Sequence, residues 1–141
     1  MRAFQPVAQE DYNGCSVSCV ASLLGISYKK SLKLFGRYYS KEKGAYCRDI
    51  VKVLEKKKLN YKYSKVVNKT KRYVNEFGSI VFIRRSKEYP IGHYLLKTRN
   101  GWMNSWINLS MITPLKIPVK AGFQKRLPGK AQWIIYPNNN L

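Results

Sequence analysis

The sequence predicts an α+β domain, with N-terminal helices packed on a C-terminal antiparallel β-sheet. Two features support this fold class. Apolar residues recur at helical spacing between residues 14 and 58. From residue 61 onward, short runs of β-branched and aromatic residues are separated by turn-forming residues, which is typical of strands. A chain of 141 residues suits one domain, which we place at residues 1–137, with a flexible tail at residues 138–141.

The first predicted helix covers residues 14–24 and places Val17 and Val20 on one apolar face. Asn13 is the expected N-cap of this helix. Gly25 is expected to end it, because glycine tolerates the backbone conformation found after a helix C-terminus. Further helices are predicted at residues 27–35, 48–58 and 69–77.

The second half of the chain contains two strong strand signals. Ser79–Arg85 has the composition of a central strand, and Gly92–Thr98 has that of a neighbour. Asn100 and Gly101 then form a hairpin signal that leads into residues 102–104. Further strands are predicted at residues 61–66, 111–119 and 131–136.

The charge of the chain is strongly unbalanced. Lysine and arginine number 27 against 7 aspartate and glutamate residues, which gives a net charge of +20. Such a protein attracts polyanions, including nucleic acids, at long range. A compositional bias toward lysine with no anionic partner explains the excess equally well, so association with a polyanion is one of two interpretations.

The cysteine content and the N-terminal sequence indicate a reducing compartment. The three cysteines are an odd number, which favours free thiols over a disulfide framework. The N-terminus lacks an apolar segment of signal-peptide length, and the apolar runs are too short to cross a bilayer. We therefore expect no membrane span and a cytoplasmic location, or packaging in a virion or nucleoprotein assembly.

Cys15 is the candidate nucleophile. It lies at the predicted N-terminus of the first helix, where the helix dipole and free N–H groups favour the thiolate. A buried, unreactive cysteine at a helix end is the alternative interpretation.

His93 is the only histidine and is the candidate base for this thiol. A third group must orient the imidazole, and Asn104 is the best candidate because a tight hairpin returns its strand alongside that of His93. Asn100 and Asn108 are competitors for this role.

Gln9, six residues before Cys15, could donate a hydrogen bond to an oxyanion, together with the Cys15 N–H. Each residue, taken alone, is also compatible with an ordinary structural role.

The segment Gln9–Gly25 (QEDYNGCSVSCVASLLG) resembles the opening of the bacteriocin-processing, C39-like cysteine peptidases of the papain-like superfamily. Gly92-His93-Tyr94 and Gly101–Asn104 resemble the later histidine and orienting motifs of that family, and the resemblance covers most of residues 5–107. It implies a papain-like fold and hydrolysis of a peptide or isopeptide bond without a cofactor. The implied roles are nucleophile for Cys15, base for His93, orienter for Asn104 and oxyanion donor for Gln9. The sequence departs from the family pattern at Gly14, Ser16 and Asn104-Ser105, where Asp, Gly and Asp-Pro are usual.

Two further interpretations remain open at this point. Cys15, Cys19 and Cys47 could form a zinc site with His93, although the spacing fits structural zinc poorly. Otherwise Cys19 is expected in the core and Cys47 at a helix start. Alternatively, the scaffold is catalytically inactive and binds nucleic acid through lysines interleaved with tyrosines. Such stretches occur at residues 37–41, 61–63 and 69–73, and residues 56–58 add a run of three lysines.

Overall fold

The computed structural model of the protein describes residues 3–109 and 118–138. Its α-helices are α1 (Cys15–Leu24), α2 (Tyr28–Phe35) and α3 (Cys47–Lys56). Short 3₁₀ helices cover Gly36–Tyr38 and Lys71–Asn75. The three longer predicted helices are thus confirmed, and the short one predicted at residues 69–77 is a 3₁₀ helix.

Within the described residues, six strands form one antiparallel sheet. They are β1 (Tyr61–Lys65), β2 (Ile80–Ile83), β3 (His93–Thr98), β4 (Gly101–Asn104), β5 (Gly122–Gln124) and β6 (Ala131–Pro137). Their order across the sheet is β1-β6-β2-β3-β4-β5. The sequence did not predict β5, which has only three residues. The strand predicted at 111–119 falls mostly on residues 110–117, which lie outside the described residues.

The helices cover one face of this sheet. Val17 and Val20 of α1 and Leu54 of α3 pack there against sheet residues such as Leu96 and Ile135. A second apolar cluster on the opposite face contains Val81, Ile83, Leu95, Trp102 and Ile134. The central strands β2 and β3 are therefore buried on both faces, which explains why the sequence of β2 is uninterruptedly apolar.

The start of α1 differs from the sequence prediction. Gly14, not Asn13, is the N-cap, and no side chain caps the helix. The Asn13 side chain instead donates a hydrogen bond to the backbone oxygen of Lys41, 2.7 Å away. A long-range contact has thus replaced the local one. At the other end, Gly25 adopts the predicted left-handed conformation, with φ of 71°.

The β3–β4 hairpin is present as predicted and carries two of the candidate site residues. Thr98 pairs with Gly101, so Arg99 and Asn100 form the turn, and Leu96 pairs with Met103. This register brings the end of β4 back toward the start of β3. At the end of β6, Asn138 exchanges two hydrogen bonds with Asn60. No helix in the described ranges combines the length and apolarity needed to cross a membrane.

Candidate active site

Cys15 is the first residue of α1, and its side chain is buried against the start of β3. Its Sγ accepts a hydrogen bond from the backbone N–H of Tyr94, with an N–S distance of 3.5 Å. The thiol of this buried residue therefore lies beside the backbone of the residue that follows His93. Tertiary packing has brought together two segments that are 79 positions apart in the chain.

His93 and Asn104 are joined by a buried hydrogen bond. The Nε2 atom of His93 lies 2.8 Å from Oδ1 of Asn104, between the first residue of β3 and the last residue of β4. The competitors are placed elsewhere. Asn108 bonds Pro118 and Lys120 through its side chain, and Asn100 lies in the hairpin turn.

The amide of Asn104 is held in one orientation. Its Nδ2 group donates to Oε1 of Gln124 at 2.7 Å and to the hydroxyl of Tyr89 at 3.1 Å. Its Oδ1 also accepts the backbone N–H of Trp106 at 3.0 Å. Oδ1 is therefore an acceptor toward His93, so Nε2 of the neutral imidazole carries the hydrogen and Nδ1 is the basic nitrogen.

Two residues that the sequence analysis missed complete this network. Tyr89 stacks on the His93 ring, with centroids 4.4 Å apart and an interplanar angle of 17°, and its hydroxyl contacts Asn104. Gln124, on β5, provides the second acceptor for the NH₂ group of Asn104. Neither residue lies in a recognisable motif, and β5 itself was not predicted, so the sequence carried no signal for them.

Gln9 is buried beside the same strand end. Its Nε2 donates to the backbone oxygens of Asp11 and Tyr12, at 2.9 and 2.8 Å. Its Oε1 accepts from the Ser105 hydroxyl at 2.7 Å, and its backbone N–H donates to the Ser105 oxygen. Gln9 thus ties the loop before Cys15 to the residue that follows Asn104, and both of its side-chain donor hydrogens are used in this arrangement.

A groove with a volume of 1040 Å³ opens at Cys15. Ser16 and Tyr94 line it next to the sulfur. The Ser16 hydroxyl is buried and has no hydrogen-bond partner among the described residues. Cys47, the first residue of α3, lines the same groove, and its Sγ lies 3.6 Å from the hydroxyl of Tyr94.

Comparison with known proteins places this arrangement in a recognised fold. The sequence matches no protein-family model and no curated protein. Among solved structures, it is similar to the peptidase domain of Streptococcus ComA, a bi-functional ABC transporter involved in a quorum sensing pathway. The match has 18% sequence identity and a TM-score of 0.55, and it covers 96% of this chain and 99% of that one. The fold is that of a C39-like peptidase domain. The predicted α+β, papain-like and C39-like fold is thereby confirmed.

Within this C39-like fold, burial controls the protonation of the site. Desolvation raises the pKa of Cys15 to about 11, against the opposing effect of backbone N–H groups that include that of Tyr94. Desolvation lowers the pKa of His93 to about 4, although the hydrogen bond to Asn104 acts in the opposite direction. At neutral pH the resting site therefore holds a thiol and a neutral imidazole. The sequence argument for a thiolate at the helix N-terminus is outweighed by desolvation.

The zinc interpretation finds no cluster to support it. In residues 3–109 and 118–138, no group of three or more histidine, cysteine, aspartate or glutamate side chains could hold a metal ion. Cys19 is fully buried in the helix-side core, as predicted, and Cys47 begins α3.

Proposed function

We propose that the protein is a cysteine peptidase that cleaves a peptide or isopeptide bond by acyl transfer through Cys15. The observation that carries this proposal is the buried His93–Asn104 hydrogen bond at the start of β3. The next residue of that strand, Tyr94, donates its backbone N–H to the thiol of Cys15, which lines a groove. A C39-like peptidase fold supports the same reaction class. Such a mechanism needs no cofactor.

The proposed reaction begins with proton transfer from the Cys15 thiol to Nδ1 of His93 as the sulfur attacks the substrate carbonyl. The carbonyl oxygen becomes an oxyanion in the tetrahedral intermediate. The C–N bond then breaks, His93 gives its proton to the leaving amine, and a thioester to Cys15 remains. Water, deprotonated by His93, attacks the thioester and releases the carboxylic acid and the thiol.

Asn104 has the role of a positioning residue in this scheme. Its Oδ1 holds the Nε2–H of His93, which keeps the basic Nδ1 as the nitrogen available to the thiol. Because the resting pair is neutral, His93 acts as a general base during attack, and no preformed thiolate–imidazolium pair is required.

The oxyanion has two candidate donors in this proposal. The backbone N–H of Cys15 lies at the helix start, where no helical acceptor competes for it. The Nε2 group of Gln9 can contribute if one hydrogen moves from the Asp11 or Tyr12 oxygen to the intermediate. Ser16 also lines the groove, but its hydroxyl is buried and without a partner in the described structure, so it is not assigned a role as a donor.

A peptide-mixture digest tests the proposal. The protein is incubated with peptides prepared from a whole-cell extract, and new termini are identified by mass spectrometry. We expect cleavage that disappears in Cys15→Ala, while that variant keeps the thermal midpoint of the parent within a few degrees. Cys47→Ala, which alters the other thiol of the same groove, should retain cleavage. Cleavage that persists in Cys15→Ala would refute the assignment.

The second candidate function is a catalytically inactive scaffold that binds nucleic acid. The specific observation in its favour is the pairing of cations with aromatic rings on the surface, as for Lys65 over Trp133 and Arg72 over Tyr73. Salt-sensitive binding of an oligonucleotide, combined with no cleavage in the peptide digest, would favour this function over the peptidase.

A further inference from the structure

The groove that opens at Cys15 has an aromatic floor. Tyr94, Phe82, Trp133 and Tyr63 line it, and they belong to β3, β2, β6 and β1, which are successive strands of the sheet. Phe82 and Tyr94 have ring centroids 4.9 Å apart, and those of Tyr63 and Trp133 are 6.4 Å apart. We call these four side chains the aromatic strip. It runs from the candidate nucleophile to the β1 edge of the sheet.

The length of the aromatic strip fits a short peptide segment. Four neighbouring strands span three inter-strand spacings, or roughly 14 Å. An extended peptide advances about 3.4 Å per residue, so about four residues cover this distance. Phe82 and Trp133 are partly exposed and Tyr63 is 45% exposed, so these three rings offer apolar contact along it, whereas Tyr94 is buried.

The rims of the groove are cationic. Lys43 and Arg48 line the groove, as do Arg84 and Arg85, which follow the end of β2. Glu42 is the one acidic residue among the described lining residues. All four cations are exposed, and in the described part of the chain none of them forms an ion pair with an acidic side chain. The aromatic strip thus lies in an uncompensated positive field.

We propose that this groove binds an acidic peptide segment, with aspartate or glutamate within about four residues of the bond that Cys15 attacks. The inference rests on the proposed peptidase function and adds a substrate class to it. Carboxylates would meet the arginines on the rim, while the apolar parts of the segment would lie on the aromatic strip. A peptide is favoured over a nucleic acid because the strip leads directly to a thiol, which needs an acyl carbon to attack.

The test compares matched peptides and matched charge variants. A cleaved sequence from the peptide digest is synthesised with glutamate, or with glutamine, two and four residues from the bond. We expect kcat/KM to be about tenfold higher for the glutamate form, which corresponds to about 1.4 kcal/mol. Arg84→Gln/Arg85→Gln should remove most of this preference, and high salt should reduce it.

The control variant Lys29→Gln/Lys30→Gln removes the same charge from exposed positions of α2 that do not line the groove. It should leave the preference unchanged. Cleavage without discrimination between the two peptides, or an equal loss in the control variant, would overturn the inference and leave the peptidase function standing.

A binding measurement tests the acidic-peptide groove independently of the proposed peptidase function. Fluorescence anisotropy with the Cys15→Ala protein compares a labelled decapeptide of alternating glutamate and leucine with its glutamine counterpart and with a decathymidylate. Tighter binding of the glutamate peptide, lost in Arg84→Gln/Arg85→Gln but not in the control variant, supports the acidic groove even if no cleavage is found. Tighter binding of the oligonucleotide at this groove overturns it.

Discussion

Nε2 of His93 lies 2.8 Å from Oδ1 of Asn104, and the rest of the Asn104 amide is held by Gln124 and Tyr89. This relationship determines which nitrogen of the imidazole is basic. An amide whose NH₂ group has two acceptors cannot rotate without leaving buried polar atoms unpaired, at a cost of about 1–3 kcal/mol each. The orientation of His93 thus depends on residues from three different parts of the chain.

Replacing Asn104 should reduce turnover and leave a folded protein. In Asn104→Ala the buried Nε2–H of His93 loses its acceptor, so we expect kcat to fall about 10- to 100-fold, which corresponds to about 1.4–2.7 kcal/mol. Steady-state kinetics on a cleaved peptide measure the effect. Asn108→Ala is the matched control because that amide bonds Pro118 and Lys120. Equal losses in both variants would argue against a role for Asn104 in the site.

Asn104→Asp should instead move the acid limb of the rate profile. A carboxylate next to His93 stabilises the imidazolium, so the pKa of His93 should rise from about 4. Turnover requires the neutral ring and should then decline at a higher pH than in the parent protein. The dependence of kcat on pH measures this shift. An unchanged acid limb would mean that residue 104 does not control the protonation of the base.

Gln124 should act as a positioning residue whose function depends on its acceptor oxygen. Gln124→Ala removes an acceptor from Nδ2 of Asn104, and we expect kcat to fall up to about tenfold, as for the loss of one hydrogen bond. Gln124→Glu keeps an acceptor at this position and should recover most of the activity. If the alanine and glutamate variants behave alike, the contact with Asn104 is not what matters.

The stability of the protein should fall on acidification because of His93. Its pKa is about 4 in the folded state and near 6.5 when unfolded, so the unfolded chain binds a proton first as the pH decreases. The stabilisation is present above pH 6.5 and is lost as the pH falls through 4, with a total of about 3 kcal/mol. Denaturant titrations at pH 7 and pH 4.5 should show that the free energy of unfolding falls less in His93→Gln than in the parent protein. Identical losses would place the acid sensitivity elsewhere.

Gly92 should be sensitive to substitution because it lies directly before His93. Its φ is +78°, and a Cβ added there would lie 2.1 Å from Cζ of Phe82. We expect Gly92→Ala to lower the free energy of unfolding by at least about 2 kcal/mol, through backbone strain and steric overlap, and to reduce turnover.

Gly36 provides the matched control for this prediction. It also has a positive φ, of +49°, but an added Cβ would have no neighbour within 4 Å. Gly36→Ala should therefore cost only the backbone strain, about 1–3 kcal/mol, which is less than strain and overlap together at Gly92, and it should leave turnover intact. Denaturant unfolding measures the loss of stability in both variants. Equal losses would show that the Phe82 side chain moves away from the added Cβ at no cost in free energy.

The sequence by itself determined the class of fold and the first contacts of the site. Periodicity located α1, α2 and α3, and the signal at Asn100 and Gly101 located the hairpin that places Asn104 near His93. These features are local, because helix and strand periods and turn residues are properties of neighbouring positions. Local patterns therefore sufficed to nominate Cys15, His93 and Asn104 as candidates.

The tertiary structure decided the chemistry of the site. Gln124 and Tyr89 reach Asn104 from segments without a motif, and Asn13 contacts Lys41 where a local helix cap was expected. The protonation states also depend on packing, since desolvation reversed the thiolate expected from the helix dipole. Desolvation and long-range hydrogen bonds depend on which distant segments meet, and the pattern of neighbouring residues in the chain does not specify that.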